Sequence, residues 1–219
     1  MSNSNNIICK SNIDIVFCID GSGSMISHID VAKNYVRNFY KMLDMEYPNY
    51  TYRIRVIIFR DYNCDIKNTM QKSEFFKLPQ DEPKIEEYLD NITIIGGGDA
   101  KENGLEALYF AMTSDFINEK NDKQIIILFT DADAHELGKF KHVTGYPEDI
   151  STLKELEEIW NGVSVDETLS LGTNKHLFLF APTGSLYESL KDTFENCVFE
   201  PIDDDNPDII DLKKIFNES

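Results

Sequence analysis

The stretch Ile13-Asp14-Ile15-Val16-Phe17-Cys18-Ile19-Asp20-Gly21-Ser22-Gly23-Ser24 decides the fold. Its first seven residues are nearly all apolar, the mark of a strand covered on both faces, as in a parallel sheet between two layers of helices. An aspartate, two glycines and two serines follow at once. In a locally extended loop alternate side chains point the same way, so Asp20, Ser22 and Ser24 can converge on one point. The glycines between them permit a tight backbone path.

Outward from this stretch, apolar runs alternate with helical patterns. A helix is expected from about Ser27 to Asp44 and a second buried strand at Arg53–Phe59. An edge strand is expected around Glu74–Leu78, then a helix at Lys84–Leu89 with Pro83 in its first turn. After Gly96-Gly97-Gly98 a helix is predicted from Lys101 to Phe116, and Gln124–Thr130 (QIIILFT) reads as the most buried strand. A long polar stretch leads to a helix at Leu153–Trp160; such loops in compact domains are usually functional. Strands at His176–Phe180 and Cys197–Phe199 flank a helix at Leu186–Phe194, and the tail from Pro207 sets Ile209, Leu212, Ile215 and Phe216 on one helical face. The expected architecture is α/β, a doubly wound, mostly parallel sheet with helices on both faces and one short antiparallel edge strand. Residues 1–12 are expected to form a flexible N-terminus and residues 13–219 a single domain.

Composition narrows the function. The chain has 219 residues, 42% of them apolar, enough for one sizeable core. Against 39 acidic residues stand 21 basic ones, a net charge of −18 that repels nucleic acid and favours cations or partners with basic patches. No apolar run approaches the roughly 20 residues of a membrane span. The opening MSNSNNIICKSN has no apolar centre and does not read as a signal peptide, so a soluble cytoplasmic protein is expected. Cys9, Cys18, Cys64 and Cys197 show no metal-ligand spacing. Cys18 reads as a buried hydrophobe, and free thiols are expected ahead of a Cys9–Cys197 clasp.

Ligands of open α/β sheets bind beyond the carboxyl ends of the strands. Three loops there carry oxygens: Asp20, Ser22 and Ser24; Asp99 after three glycines; and Thr130-Asp131-Ala132-Asp133. A carboxylate with hydroxyls is a hard donor set, suited to Mg²⁺, Mn²⁺ or Ca²⁺. Asp99 is read either as a ligand or as the cap of the next helix. Asp133 is read as a ligand or a solvated charge, and Arg60-Asp61 as a structural ion pair. The run Asp203-Asp204-Asp205 lacks EF-hand spacing and suits the start of the last helix.

Asp-Gly-Ser-Gly-Ser after one apolar strand and Thr-Asp after a later one resemble the von Willebrand factor type A domain and its metal-ion-dependent adhesion site, over roughly Ile13 to Phe216. Phe59-Arg60-Asp61-Tyr62, Gly96-Gly97-Gly98-Asp99-Ala100-Lys101-Glu102, and Thr130-Asp131-Ala132 with His135 are similar to the intracellular branch found beside alpha-kinase domains. The resemblance implies Asp20, Ser22 and Ser24 as first-loop ligands and Asp131 as the third-loop carboxylate, often acting through water. Adhesive members usually place a threonine where this chain has Asp99. Direct coordination by Asp99 would neutralise more of the metal's charge, giving tighter metal binding and weaker capture of an acidic partner.

The expected function is therefore a metal-dependent protein-binding module, not an enzyme, whose partner offers an acidic side chain to the metal or a basic patch to the acidic surface. The loop from Ala134 to Glu148, with His135, His142 and Tyr146, is the expected contact for partner specificity. Two alternatives stand beside it. One is a scaffold that needs no metal. The other is a phosphotransferase of the haloacid-dehalogenase type, with Asp131 and Asp133 as its carboxylate pair. No phosphate loop, GxGxxG or GxSxG motif is present in the sequence.

Overall fold

Alternate residues of the first strand serve opposite layers. Ile13, Ile15, Phe17 and Ile19 pack in one apolar cluster, and Val16 and Cys18 in another. The structure, a computed structural model, describes residues 10–64, 68–96, 100–162, 172 and 174–202. In chain order its elements are β1 (Ser11–Asp20), α1 (Ile29–Glu46), β2 (Tyr50–Phe59), β3 (Met70–Lys72), β4 (Phe76–Leu78), α2 (Glu82–Asp90), β5 (Lys101–Glu102), α3 (Gly104–Met112), β6 (Lys123–Phe129), β7 (Asp133–Ala134), α4 (Leu153–Trp160), β8 (Lys175–Ala181), α5 (Leu186–Leu190) and β9 (Cys197–Pro201).

The main sheet runs β3-β2-β1-β6-β8-β9, with β4 also on β2. Its central strands are parallel; β1 pairs with β2 from Ser11↔Tyr50 to Asp20↔Phe59 and with β6 from Ile13↔Lys123 to Ile19↔Phe129. Helices α1 and α2 cover one face and α3, α4 and α5 the other. Full burial of each such aliphatic or aromatic side chain contributes about 1.5–3 kcal/mol. The antiparallel edge comes in two pieces. Ile57↔Lys72 and Ile54↔Phe76 enclose two residues on β2 but three on the edge, a bulge in which Ser73 Oγ accepts the Val56 N–H at 2.9 Å.

Several boundaries differ from expectation for local reasons. β1 begins at Ser11, inside the stretch expected to be flexible. Residues 23–27 form a 3-10 turn, which delays α1 to Ile29. Lys101 and Glu102 are not helical but pair with Asp133 and Ala134. Helix α3 starts at Gly104, where a Cβ would lie 2.1 Å from the Tyr187 hydroxyl, so only glycine fits under that ring. It stops at Met112, where the hydroxyls of Thr113 and Ser114 donate back to the Tyr109 and Phe110 carbonyls at 2.9 and 3.0 Å. Helix α5 ends at Leu190, short of Phe194. By contrast α4 spans the expected residues, fixed by a capping box in which Thr152 Oγ1 accepts from Glu155 N and Glu155 returns the bond to Thr152 N. The expected tail helix and Asp203–Asp205 lie outside the described residues, as does Cys9; no disulfide forms among the described cysteines. Among the described residues no helix is long and apolar enough to cross a membrane.

Candidate functional site

β1 delivers Asp20 to the carboxyl edge of the sheet with its carboxylate wholly buried. Oδ1 accepts the Ser22 N–H at 2.8 Å and Oδ2 accepts the Thr130 hydroxyl at 2.6 Å. The Ser22 and Ser24 hydroxyls are 3.1 Å apart, and Ser24 Oγ donates to Asp131 Oδ1 at 2.8 Å. Asp20, Ser22, Ser24 and Asp131 therefore stand in one chain of hydrogen bonds. Asp99 lies outside the described residues. Burial pushes the Asp20 carboxyl up to about 6, opposed by the bonds from Thr130 and Ser22 and reinforced by the charge of Asp131. An all-oxygen set around a buried carboxylate held against its preference for water suits a hard cation, so the residues present fit a divalent metal. Among the described residues no three His, Cys, Asp or Glu side chains cluster as a metal centre, so the serine hydroxyls are indispensable to such a site.

Close packing of the loops holds this geometry. A Cβ on Gly23 would lie 2.6 Å from the Gly96 carbonyl, and one on Gly21 would lie 2.7 Å from Ile58 Cγ2 and 2.9 Å from Arg60 Nη2. The Gly21 N–H donates to the Phe59 carbonyl at 2.8 Å, and the Ile95 N–H donates to the Gly21 carbonyl at 3.2 Å. Arg60, fully buried, binds the three segments together. Nε donates to Gly21 O at 3.1 Å, Nη1 to Asn68 O at 2.7 Å and Nη2 to Thr93 O. This corrects the expected Arg60–Asp61 pair. Neighbours on extended backbone point opposite ways, and Asp61 instead accepts from the Asn63 N–H at 2.8 Å and faces His135 Nε2 at 3.5 Å.

A buried polar layer adjoins these loops. Lys139 Nζ lies 3.0 Å from His135 Nδ1; the ammonium donates, which leaves the imidazole proton on Nε2, toward Asp61. Asn103 Oδ1 accepts the Tyr62 N–H at 2.8 Å, and Tyr146 donates to Glu106 Oε1 at 2.8 Å. Burial drives the Glu106 carboxyl up to about 7. His135 and Tyr146, expected at a partner-facing loop, are buried, 2% and 6% exposed; of the three, His142 is on the surface. The reason is that residues 135–146 fold onto Tyr62 as a small aromatic core instead of standing off as an open loop. Asp133 is likewise committed, accepting from Lys101 Nζ at 2.6 Å and from the Leu186 N–H at 2.7 Å. A phosphotransferase built on Asp131 and Asp133 loses its second carboxylate to that role. Sequence reading missed Ile26, 75% exposed in the turn just beyond Ser24. An apolar residue in a polar loop was the available signal. Sequence reading places Thr130 in the third loop but does not give its hydrogen bond to Asp20, which only the pairing of β1 with β6 creates.

The family model of the von Willebrand factor type A domain matches residues 14–158, more than half of the chain. Among solved structures, the SpRpn10 VWA domain is 13% identical, aligns over 94% of both chains and has a TM-score of 0.55. The pilus adhesin SpaC from Lactobacillus rhamnosus GG, in its open conformation, is 22% identical with a TM-score of 0.44 over 58% of this chain. The chain spans 16% of that adhesin's length. No curated protein matches the sequence.

Proposed function

The chain belongs to the von Willebrand factor type A domain family, whose members are in general protein-interaction modules, and from that premise we propose that it binds a protein partner through a divalent-metal site at the carboxyl edge of its sheet. The observation that supports this reading is the chain of hydrogen bonds that joins Asp20, Ser22, Ser24 and Asp131 across two loops. In this reading Asp20 and the two serines hold Mg²⁺ or Mn²⁺, Asp131 orients water in its shell, and Asp99 is the second-loop ligand. A bound divalent cation supplies a Lewis-acidic point that a partner's carboxylate can complete. Thr130 and the Ser22 N–H keep the Asp20 carboxylate aimed and ionised, and exposed Ile26 lies where a docked partner meets the turn after Ser24.

One observation favours the rival, metal-free scaffold: Asp20 already has hydrogen-bond partners on both oxygens, and Asp131 already accepts from Ser24. Calorimetric titration of metal-stripped protein with Mg²⁺ and Mn²⁺ separates the two. The metal reading expects saturable 1:1 binding that Asp20→Ala abolishes and that weakens as pH falls through about 6, where Asp20 takes up a proton. Equal heats from wild type and Asp20→Ala would leave the scaffold reading standing.

A further inference from the structure

At the amino edge of the sheet, opposite the metal loops, lies a cavity of about 190 Å³. Lys10 precedes β1, Asp44 lies in the last turn of α1, Tyr50 and Tyr52 open β2, and Leu78, which pairs with Tyr52, ends β4. All of these, with Tyr40 of α1, line it. The volume is below the roughly 300 Å³ at which drug-sized sites begin, so it suits a single side chain or head group.

Aromatic rings make up much of the wall. Tyr40 and Tyr52 are almost wholly buried. The Tyr52 hydroxyl donates to the Tyr47 carbonyl at 2.8 Å, and the Tyr40 hydroxyl donates to Glu82. With those hydroxyls engaged, what the two residues have left for an occupant is ring surface, whose negative face attracts cations. Walls that need no reordering lower the entropic cost of binding.

The local charge points the same way. The last turn of α1 holds Asp44 and Glu46 and no basic residue, at the helix end whose own partial charge is negative. Burial above all keeps the protons on Tyr40 and Tyr52, and the charge of Asp44 adds to it at both, so its field reaches both side chains. Lys41, 5.9 Å from the centre of the Tyr40 ring, has its charge met by Glu82 at 2.8 Å. Two charged side chains line the cavity, Lys10 and Asp44. The Lys10 ammonium donates to the Pro48 carbonyl at 2.9 Å, whereas Asp44 has no hydrogen-bond or ion-pair partner among the described residues.

Rings beside an unpartnered carboxylate, in a chain of net charge −18, complement a cation. We propose that this cavity docks a basic segment of a protein partner, seating an arginine or lysine side chain against Tyr40, Tyr50 and Tyr52 with its charge toward Asp44. A guanidinium, planar and weakly hydrated, is the better fit of the two. The inference rests on the protein-interaction reading and adds a second contact to it. It needs no metal, because the cavity and the metal loops lie at opposite edges of the sheet.

Random peptides displayed on phage test it, selected on the full chain in Mg²⁺ and about 0.15 M NaCl, where charges beyond about 8 Å are screened. The expected winners carry Arg or Lys. Their affinity falls about fivefold or more in Asp44→Asn and in Tyr50→Leu, and rises about twofold or more in Lys10→Ala. It is unchanged in Asp192→Asn, an exposed acid just after α5 that measures general attraction to the acidic surface. Winners without basic residues, or winners that Asp44→Asn and Asp192→Asn weaken alike, would overturn the pocket. So would winners that Lys10→Ala weakens, since their bound group would then be an anion. Repeating the measurement in EDTA and with Asp20→Ala separates the two claims. Binding that survives both but is lost in Asp44→Asn keeps the pocket without the metal. Binding that needs metal and Asp20 but ignores Asp44→Asn overturns the pocket and leaves the metal reading standing.

Discussion

Glu106 is wholly buried on α3, and burial raises its carboxyl from 4.5 to about 7. Between those values the folded chain keeps a proton that the unfolded chain has released, so stability falls as pH rises through that window. His176 works the other way. Burial first, then the charge of Lys123, lowers it from 6.5 to about 4, so the unfolded chain alone gains a proton there and stability rises with pH from about 4 to 6.5. Replacing Glu106 by Gln keeps the acceptor for the Tyr146 hydroxyl and removes the titration. The variant is expected to gain on wild type as pH rises from about 5 to about 7, by on the order of 3 kcal/mol at most. Urea unfolding followed through the single, fully buried Trp160 measures this. A constant offset between the two proteins at both pH values would refute the assignment.

Between elements, the loops at the candidate site are held by Arg60 rather than by their own hydrogen bonds alone. One lysine ammonium cannot reach the carbonyls of Gly21, Asn68 and Thr93 together, which a guanidinium does. Arg60→Lys is therefore expected to cost about 1–3 kcal/mol of stability and to weaken Mg²⁺ binding about tenfold or more. Melting curves and calorimetry read the two effects; metal affinity equal to wild type would show that the loops keep their places unaided. The same residue marks the limit of sequence reading. The central strands β1, β2, β6 and β8 were legible because burial on both faces writes continuous apolar runs, whereas the short β3, β5 and β7 were not, and α4 was legible because Thr152 and Glu155 are a local start signal. The oxygens of Asp20, Ser22 and Ser24 stand at one end of the sheet, as their spacing within five residues suggests. The Arg60 clamp was not legible, because its acceptors are backbone carbonyls of three distant segments, which carry no residue identity. Burial of His135 and Tyr146 escaped notice for a related reason: Lys139 beside His135 Nδ1, and Glu106 as acceptor for Tyr146, are neighbours supplied only by the folded chain.

Over the whole molecule, a net charge of −18 opposes compaction through self-repulsion, and dissolved ions screen it. The melting temperature is expected to rise between a few millimolar and about 0.15 M NaCl, where the screening length is about 8 Å. Scanning calorimetry checks this, with Asp20→Ala and wild type rising in parallel; a flat response would mean that the acidic groups are already locally compensated. Two of those acids, Asp14 and Asp20, sit on β1 an even number of residues apart, about 20 Å along the strand. Asp14 meets the guanidinium of Arg53 and the Ile117 N–H, while Asp20 meets Thr130. Their shared parity sends both carboxylates into the helical layer of α3, α4 and α5. A single residue inserted between them would break that parity. Whichever carboxylate was displaced would be turned into the oily layer beneath α1, among side chains such as Phe39 and Leu43 that offer it no hydrogen. The count of residues in β1 thus acts as an address, tolerant of changes in which apolar residue fills a place and intolerant of a change in how many places there are.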